Sequence, residues 1–168
     1  MQNKERIEKR VELMIQDKRV LYRVEQDKSL ATPLEPQPDE IEKLYQLYYR
    51  IKSAIGARCP ELDYLDVLYL FDEEEAKRIQ CDGQCTHFKD GTTTIGILKD
   101  ILVDEEYTVL VLLHEIAHLR IPTQHHHRFH KYLDSLIQEY NQKYDRCIQN
   151  DYISLQERIK NGIKQYMH

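Results

Sequence analysis

The chain has no tryptophan, three phenylalanines, five glycines and five prolines among its 168 residues. With so little glycine and proline, the chain shows no internal repeat and no low-complexity tract. No apolar run approaches the ~20 residues needed to cross a bilayer. The longest, Val109 to Leu113, is closed by a histidine. The opening MQNKERIEKR is charged and has no apolar core, so it does not read as an export signal. The four cysteines, Cys59, Cys81, Cys85 and Cys147, are accordingly expected to be reduced thiols in a cytoplasmic protein. Cys81 and Cys85 have the spacing of half a structural zinc site, but no second cysteine pair follows. A buried or turn-located thiol pair is the better reading. A concentrated basic face is missing too. The net charge is −5, and the basic residues are interleaved with acids from Lys4 to Arg10 and from Arg19 to Lys28. That pattern describes solvated helix surface and argues against nucleic acid as a partner.

What is present suits one folded domain. Charged residues make up 32% and hydrophobic ones 41%, and twelve tyrosines carry most of the aromatic packing. Ile7, Val11, Met14, Ile15, Val20 and Leu21 recur at near-helical spacing and predict an N-terminal helical extension over 1–28. Three of the five prolines fall in SLATPLEPQP, a linker at 29–38. Asp39 then caps a helix with Ile41, Leu44, Tyr45, Tyr48, Ile51 and Ile55 on one side, ended by Gly56. Leu65 to Phe71 reads as a strand, and Asp72 to Ala76 as an acidic turn or short helix. Thr86 to Phe88 and Thr92 to Leu98 flank Lys89-Asp90-Gly91, a hairpin signal. A further helix is expected from Asp104 to about Arg120, stopped by Pro122, and another from about Gln124 past Tyr140. Leu155, Ile159 and Ile163 suggest a last helix within 146–168. The expected fold class is therefore α+β. A short antiparallel sheet of about three strands packs on two consecutive helices in a domain spanning 39–145, with extra helices at both ends.

The chemistry is concentrated in His114-Glu115-Ile116-Ala117-His118. Residues four apart project from one helix face, so the imidazoles of His114 and His118 can reach one tetrahedral Zn²⁺ at about 2.0–2.1 Å. Glu115 lies about 100° around the helix. It suits a general base acting on water at the open coordination position better than it suits a third ligand. The segment Val109 to Leu113 marks a buried helix, where two histidines and a glutamate are costly unless something binds them.

A catalytic zinc takes three protein ligands. The candidates downstream are His125, His126, His127, His130 and Glu139. Read as a helix, that stretch has Phe129, Leu133, Leu136 and Tyr140 on its apolar stripe. His125 falls on the stripe and His126 at its edge, while His127 points away and His130 is displaced. Glu139 is about 21 Å from His125 along a straight helix, so the two are exclusive. His125 is the expected ligand, ahead of His126 and Glu139. Tyr132, Tyr140 and His126 are the candidates for stabilising a developing oxyanion. His87 and His168 read as exposed or capping residues.

His114-Glu115-Ile116-Ala117-His118 followed by His125-His126-His127-Arg128-Phe129 resembles the SprT-like and YgjP/WLM-type zincins, in which a His-x-x-x-Phe helix supplies the third ligand. The resemblance covers about 39–142. It implies a zinc metallopeptidase hydrolysing peptide bonds in a protein or peptide substrate. Zinc would be held by His114, His118 and His125, with Glu115 activating the bound water. It also implies that substrate lies as an extra strand along a sheet edge, for which Thr92 to Leu98 is the candidate. The two Cys pairs of the SprT zinc ribbon are absent. Two other readings use the same residues. One is a partner-specific protease of the repressor-cleaving type. The other is a zinc-stabilised binding module, closed by a fourth ligand such as His126 and lacking catalysis.

Overall fold

The computed structural model describes residues 2–16, 22–25, 39–122 and 125–151. Five α-helices are present among them: α1 (Gln2–Gln16), α2 (Asp39–Ile55), α3 (Glu73–Ile79), α4 (Glu105–Ala117) and α5 (His127–Tyr144). Four strands accompany them: β1 (Tyr22–Glu25), β2 (Val67–Phe71), β3 (Gly83–His87) and β4 (Thr93–Leu98). The α+β class expected from the sequence is what forms. The linker at 29–38 and the apolar periodicity at Leu155, Ile159 and Ile163 lie outside the described residues.

The sheet departs from the expectation in two respects. It has four strands in the order β1-β2-β4-β3. It is also mixed, since β2 and β4 run parallel while the β1–β2 and β3–β4 pairs are antiparallel. The parallel pair arises because the chain passes through α3 into β3, which runs back to the end of the sheet where β2 began, and β4 then inserts between β3 and β2. β1 was read as the end of a helix. Regular helix ends at Gln16, and Tyr22–Glu25 instead pairs antiparallel along β2.

Burial explains the layering. Every residue of β2 and β4 is buried, as expected of interior strands covered on both sides. Leu44, Tyr48 and Ile51 of α2, Leu112 and Ile116 of α4 and Leu133 and Leu136 of α5 join Leu68, Leu70 and Ile95 in one core. Ile7 and Val11 of α1 close over Val67 in a smaller cluster. α1 also grips the β3–β4 turn. Arg10 bonds Asp90 Oδ2 through Nε at 3.2 Å and Nη2 at 3.0 Å, and lies 3.9 Å over the Phe88 ring. Gly91 has φ +88°, a left-handed conformation that favours glycine at this turn.

α4 is buried from Tyr107 to Ala117. Its start is fixed by Asp104, whose side chain accepts from Tyr107 N at 3.0 Å. The expected end near Arg120 is too late: regular helix stops at Ala117, and His118 is the C-cap, still with helical angles (φ −67°, ψ −15°). The following helix starts later than the expected Gln124. α5 begins at His127, because the His126 side chain takes the capping position and accepts from Arg128 N at 3.2 Å. Residues 146–151, placed in a C-terminal helix from the sequence, are not helical. Asn141 ties this segment back by exchanging side-chain hydrogen bonds with Ile148.

Gly96 sits in the middle of β4, paired with Tyr69 on β2 and Gln84 on β3. A Cβ at this position would lie 2.3 Å from Tyr69 Cζ, too close for a ring locked in the core. Gly96→Ala is expected to destabilise by about 1–3 kcal/mol through overpacking. The check is a lower urea midpoint at unchanged denaturant slope.

Candidate metal centre

His114 and His118 reach the site from the last turn of α4, and His125 comes from the residues just before α5. The His125 Nε2 atom lies 3.1 Å from His114 Nε2 and 2.9 Å from His118 Nε2. One ligand atom from each of the three fits within 4.8 Å of the others, and this group can hold a metal ion. His125 gets there by a different route from the one its sequence position suggested. It is exposed and precedes the helix, so its place comes from the connection after Pro122 and not from a helical stripe. Phe129 is on the stripe as expected. Its ring stacks on His118 at 4.5 Å between centroids and meets His114 and His125 edge-on at 5.0 Å, giving the imidazoles a common apolar floor.

The cluster suits a cation on proton accounting. His118 Nδ1 lies 3.0 Å from the carbonyl oxygen of Ile121, which can only accept, so the proton is on Nδ1 and Nε2 carries a lone pair. That lone pair faces His125 Nε2, which also faces His114 Nε2. A single proton on His125 satisfies one neighbour and leaves the other opposed. A cation bound by all three removes the conflict, and nitrogen ligands on a tetrahedral ion stand roughly 3.3 Å apart, close to what is seen. The carbonyl partner of His118 is the kind of outer hydrogen bond that orients ligating histidines.

Electrostatics point the same way. Burial pushes the His114 imidazole down to about 3, with His118, His125 and His130 adding to the effect. Burial also lowers His118, against a hydrogen bond to the Ile121 carbonyl that favours the protonated ring. His125 is lowered too, by partial desolvation and then by His130. All three rings are thus neutral at pH 7, the form that binds metal. Glu115 moves in the opposite sense. Burial pushes its carboxyl up to about 8, and a hydrogen bond from the backbone N–H of Cys85 offsets this only in part.

Strand β3 holds Glu115 in place. Four contacts step along α4 in register with the strand. Tyr107 donates from its hydroxyl to Asp82, next to Gly83. Gly83 lies under Val111 and Glu115, where a Cβ would come within 2.8 Å of Val111 Cγ1 and 2.9 Å of Glu115 Cγ. Cys85 gives its N–H to Glu115, and His87 Nε2 reaches the main-chain oxygen of His118 at 3.4 Å. β3 is the edge strand on this side of the sheet and β4 is interior. The assignment of the edge to Thr92–Leu98 is therefore corrected to Gly83–His87. A glycine inside a strand is a sign of close backbone approach, and Gly83 was the available clue.

The other candidates are occupied elsewhere. Both Nε and Nη2 of Arg58 hold Glu139, at 3.1 and 2.7 Å, which removes it as a ligand. His126 caps α5. The Tyr140 side chain is buried and bonded to Arg50, and Tyr132 lies beneath the Arg120 guanidinium at 4.3 Å, near Cys59. His130 contacts Asn150 at 3.2 Å, and His87 is exposed, as expected. Burial raises the Cys85 thiol well above its ordinary range, with Glu115 contributing, so it stays protonated and unreactive. No helix among the described residues is long and apolar enough to cross a membrane. No family model, curated protein or solved structure matches the chain.

The raised Glu115 fixes the sign of a pH effect. The folded metal-free protein keeps this proton up to about pH 8, whereas the unfolded chain releases it near 4.5, so stability is lost as pH rises through that window. Glu115→Gln, which never ionises, is expected to raise the thermal midpoint of the metal-free protein near pH 8. Near pH 4.5 it should leave the midpoint almost unchanged. Scanning calorimetry of both proteins at the two pH values is the check; an equal gain at both would contradict it.

Proposed function

We propose that the protein is a zinc-dependent metallopeptidase of the zincin type. The observation that supports this best is a buried glutamate beside three converging neutral imidazoles, one helix position from the first of them. Three nitrogen ligands from protein suit Zn²⁺ with one position left open. Bound there, the ion would supply Lewis acidity toward a carbonyl oxygen and bring the pKa of a water toward ~7.

The chain's own residues do the rest. His114, His118 and His125 hold the ion, with Phe129 packed against their rings. Glu115 faces β3 from a water-poor position, and a neighbouring cation would bring its carboxyl down into the range of a working base. As carboxylate it takes the proton from the attacking water and then gives it to the departing amine. The Cys85 N–H holds the carboxyl at this point. Apart from the Cys85 N–H, which Glu115 occupies, the outer edge of β3 offers an extended segment of protein or peptide main-chain pairing with little dependence on side chains. The zinc-stabilised binding module receives no support, since His126 is committed to capping α5 and the cluster has three members among the described residues.

Elemental analysis and an unfolded protein substrate test the proposal together. Wild type and Glu139→Ala should each carry about one zinc per chain and cleave, and His125→Ala should lose most of the metal. Glu115→Gln should keep the metal and lose cleavage by at least a hundredfold, within the range general-base catalysis contributes. Undiminished cleavage by Glu115→Gln would remove the base, and a wild type without metal would remove the enzyme. Cleavage confined to one partner protein would mark the repressor-cleaving version of the same chemistry.

A further inference from the structure

The carbonyl oxygen of His118 has lost its usual helical partner. In a continuing α-helix it would accept from the N–H four residues on. That residue is Pro122, which has none. The N–H one residue earlier, on Ile121, is already given to Ala117 O at 3.1 Å. Among the described residues, the group that meets this oxygen comes from a different part of the chain: Nε2 of His87 on the edge strand, 3.4 Å away and also 3.8 Å from the Cys85 thiol. The other ring nitrogen of His87 faces the hydroxyl of its cross-strand partner Thr93 at 3.4 Å. If the Thr93 hydroxyl donates to Nδ1, the proton of the neutral ring sits on Nε2, the tautomer that can donate to His118.

We propose that His87 is a positioning residue for the metal centre, its Nε2–H replacing the backbone donor that Pro122 cannot supply and fixing the main chain of His118. His118 is then held twice, by its ring through Ile121 and by its carbonyl through His87. The inference rests on the metal reading given above and adds a residue that touches neither the ion nor the reacting atoms. It also makes the edge strand and a metal ligand one mechanical unit.

Side-chain length separates this role from simple packing. Glutamine places an amide N–H at about the reach of His87 Nε2, whereas asparagine reaches only about as far as Nδ1. Cobalt(II) affinity is measured by competition with a chromophoric chelator for wild type, His87→Ala, His87→Asn and His87→Gln. The d–d absorption of each cobalt form and the thermal midpoint of each metal-free protein are recorded alongside. Loss of an outer partner of a ligating histidine weakens metal binding by about 10–100-fold. Ala and Asn should fall in that range with an altered cobalt band, while Gln stays within about threefold of wild type. In the metal-free protein, nitrogen shifts should report His87 as the Nε2–H tautomer. Equal affinity in all four proteins overturns the inference while leaving the metal reading intact. So does a loss in Gln as large as in Ala, or an Nδ1–H tautomer. A wild type that takes up no cobalt removes the metal reading, and this inference with it.

Discussion

A carboxyl group and an imidazole are buried on a helix that is otherwise apolar, and most of the surrounding structure answers to that fact. Taking ionisable groups out of water costs several kcal/mol each when they stay charged. The protein meets the cost by keeping both neutral. Glu115 holds its proton and His114 refuses one. A glycine faces the carboxyl from the neighbouring strand, and a backbone N–H is turned toward it. Neither arrangement adds to the core. Both suit a site that can hold a metal ion, since the neutral imidazole is already the ligating form and a neighbouring cation would favour the ionised carboxyl.

The centre is assembled from three stretches of chain with different mechanical characters. α4 is rigid because all of its residues from Tyr107 onward are buried, and it sets the separation of two of the ligands. The third ligand arrives on a connection whose end is pinned where His126 caps α5 and Phe129 enters the core. The edge strand runs beside the helix, meeting it at Tyr107, Val111, Glu115 and His118 in turn. Two ion pairs outside the cluster, Arg120 with Glu61 and Arg58 with Glu139, tie the exit from α4 and the flank of α5 to the segment between α2 and β2.

Much of this was legible in the residues themselves, and the failures have physical causes. His114, Glu115 and His118 were visible because helical periodicity fixes which side chains share a face. Asp104 was visible as a cap because its chemistry is local, and Gly91 because a tight turn demands it. His125 was found for a reason that only half survives. The apolar stripe led to Phe129, but the capping competition that His126 wins, moving the helix start to His127, is decided by one hydrogen bond that no periodicity reveals. The sheet was the least legible part. Apolar runs and turn signals mark Leu65–Phe71 and Thr92–Leu98 as strands, yet they carry no information about which strands are neighbours. The parallel β2–β4 pairing and the position of β3 at the edge are non-local facts. Tyr22–Glu25 pairs along β2 because an edge was open to it, which its own four residues do not announce.

The grip of α1 on the hairpin tip ties the N-terminal helix to the strand beside Glu115. Arg10 holds Phe88 and Asp90, immediately after His87 and the strand that lines Glu115. The pair is partly open to solvent, with side-chain exposures of 20% and 33%, so dissolved ions weaken it far more than they weaken the buried contacts of α4. The buried contacts between β3 and α4 are thereby insulated from ionic strength, while the hold of α1 on the hairpin is tunable by it.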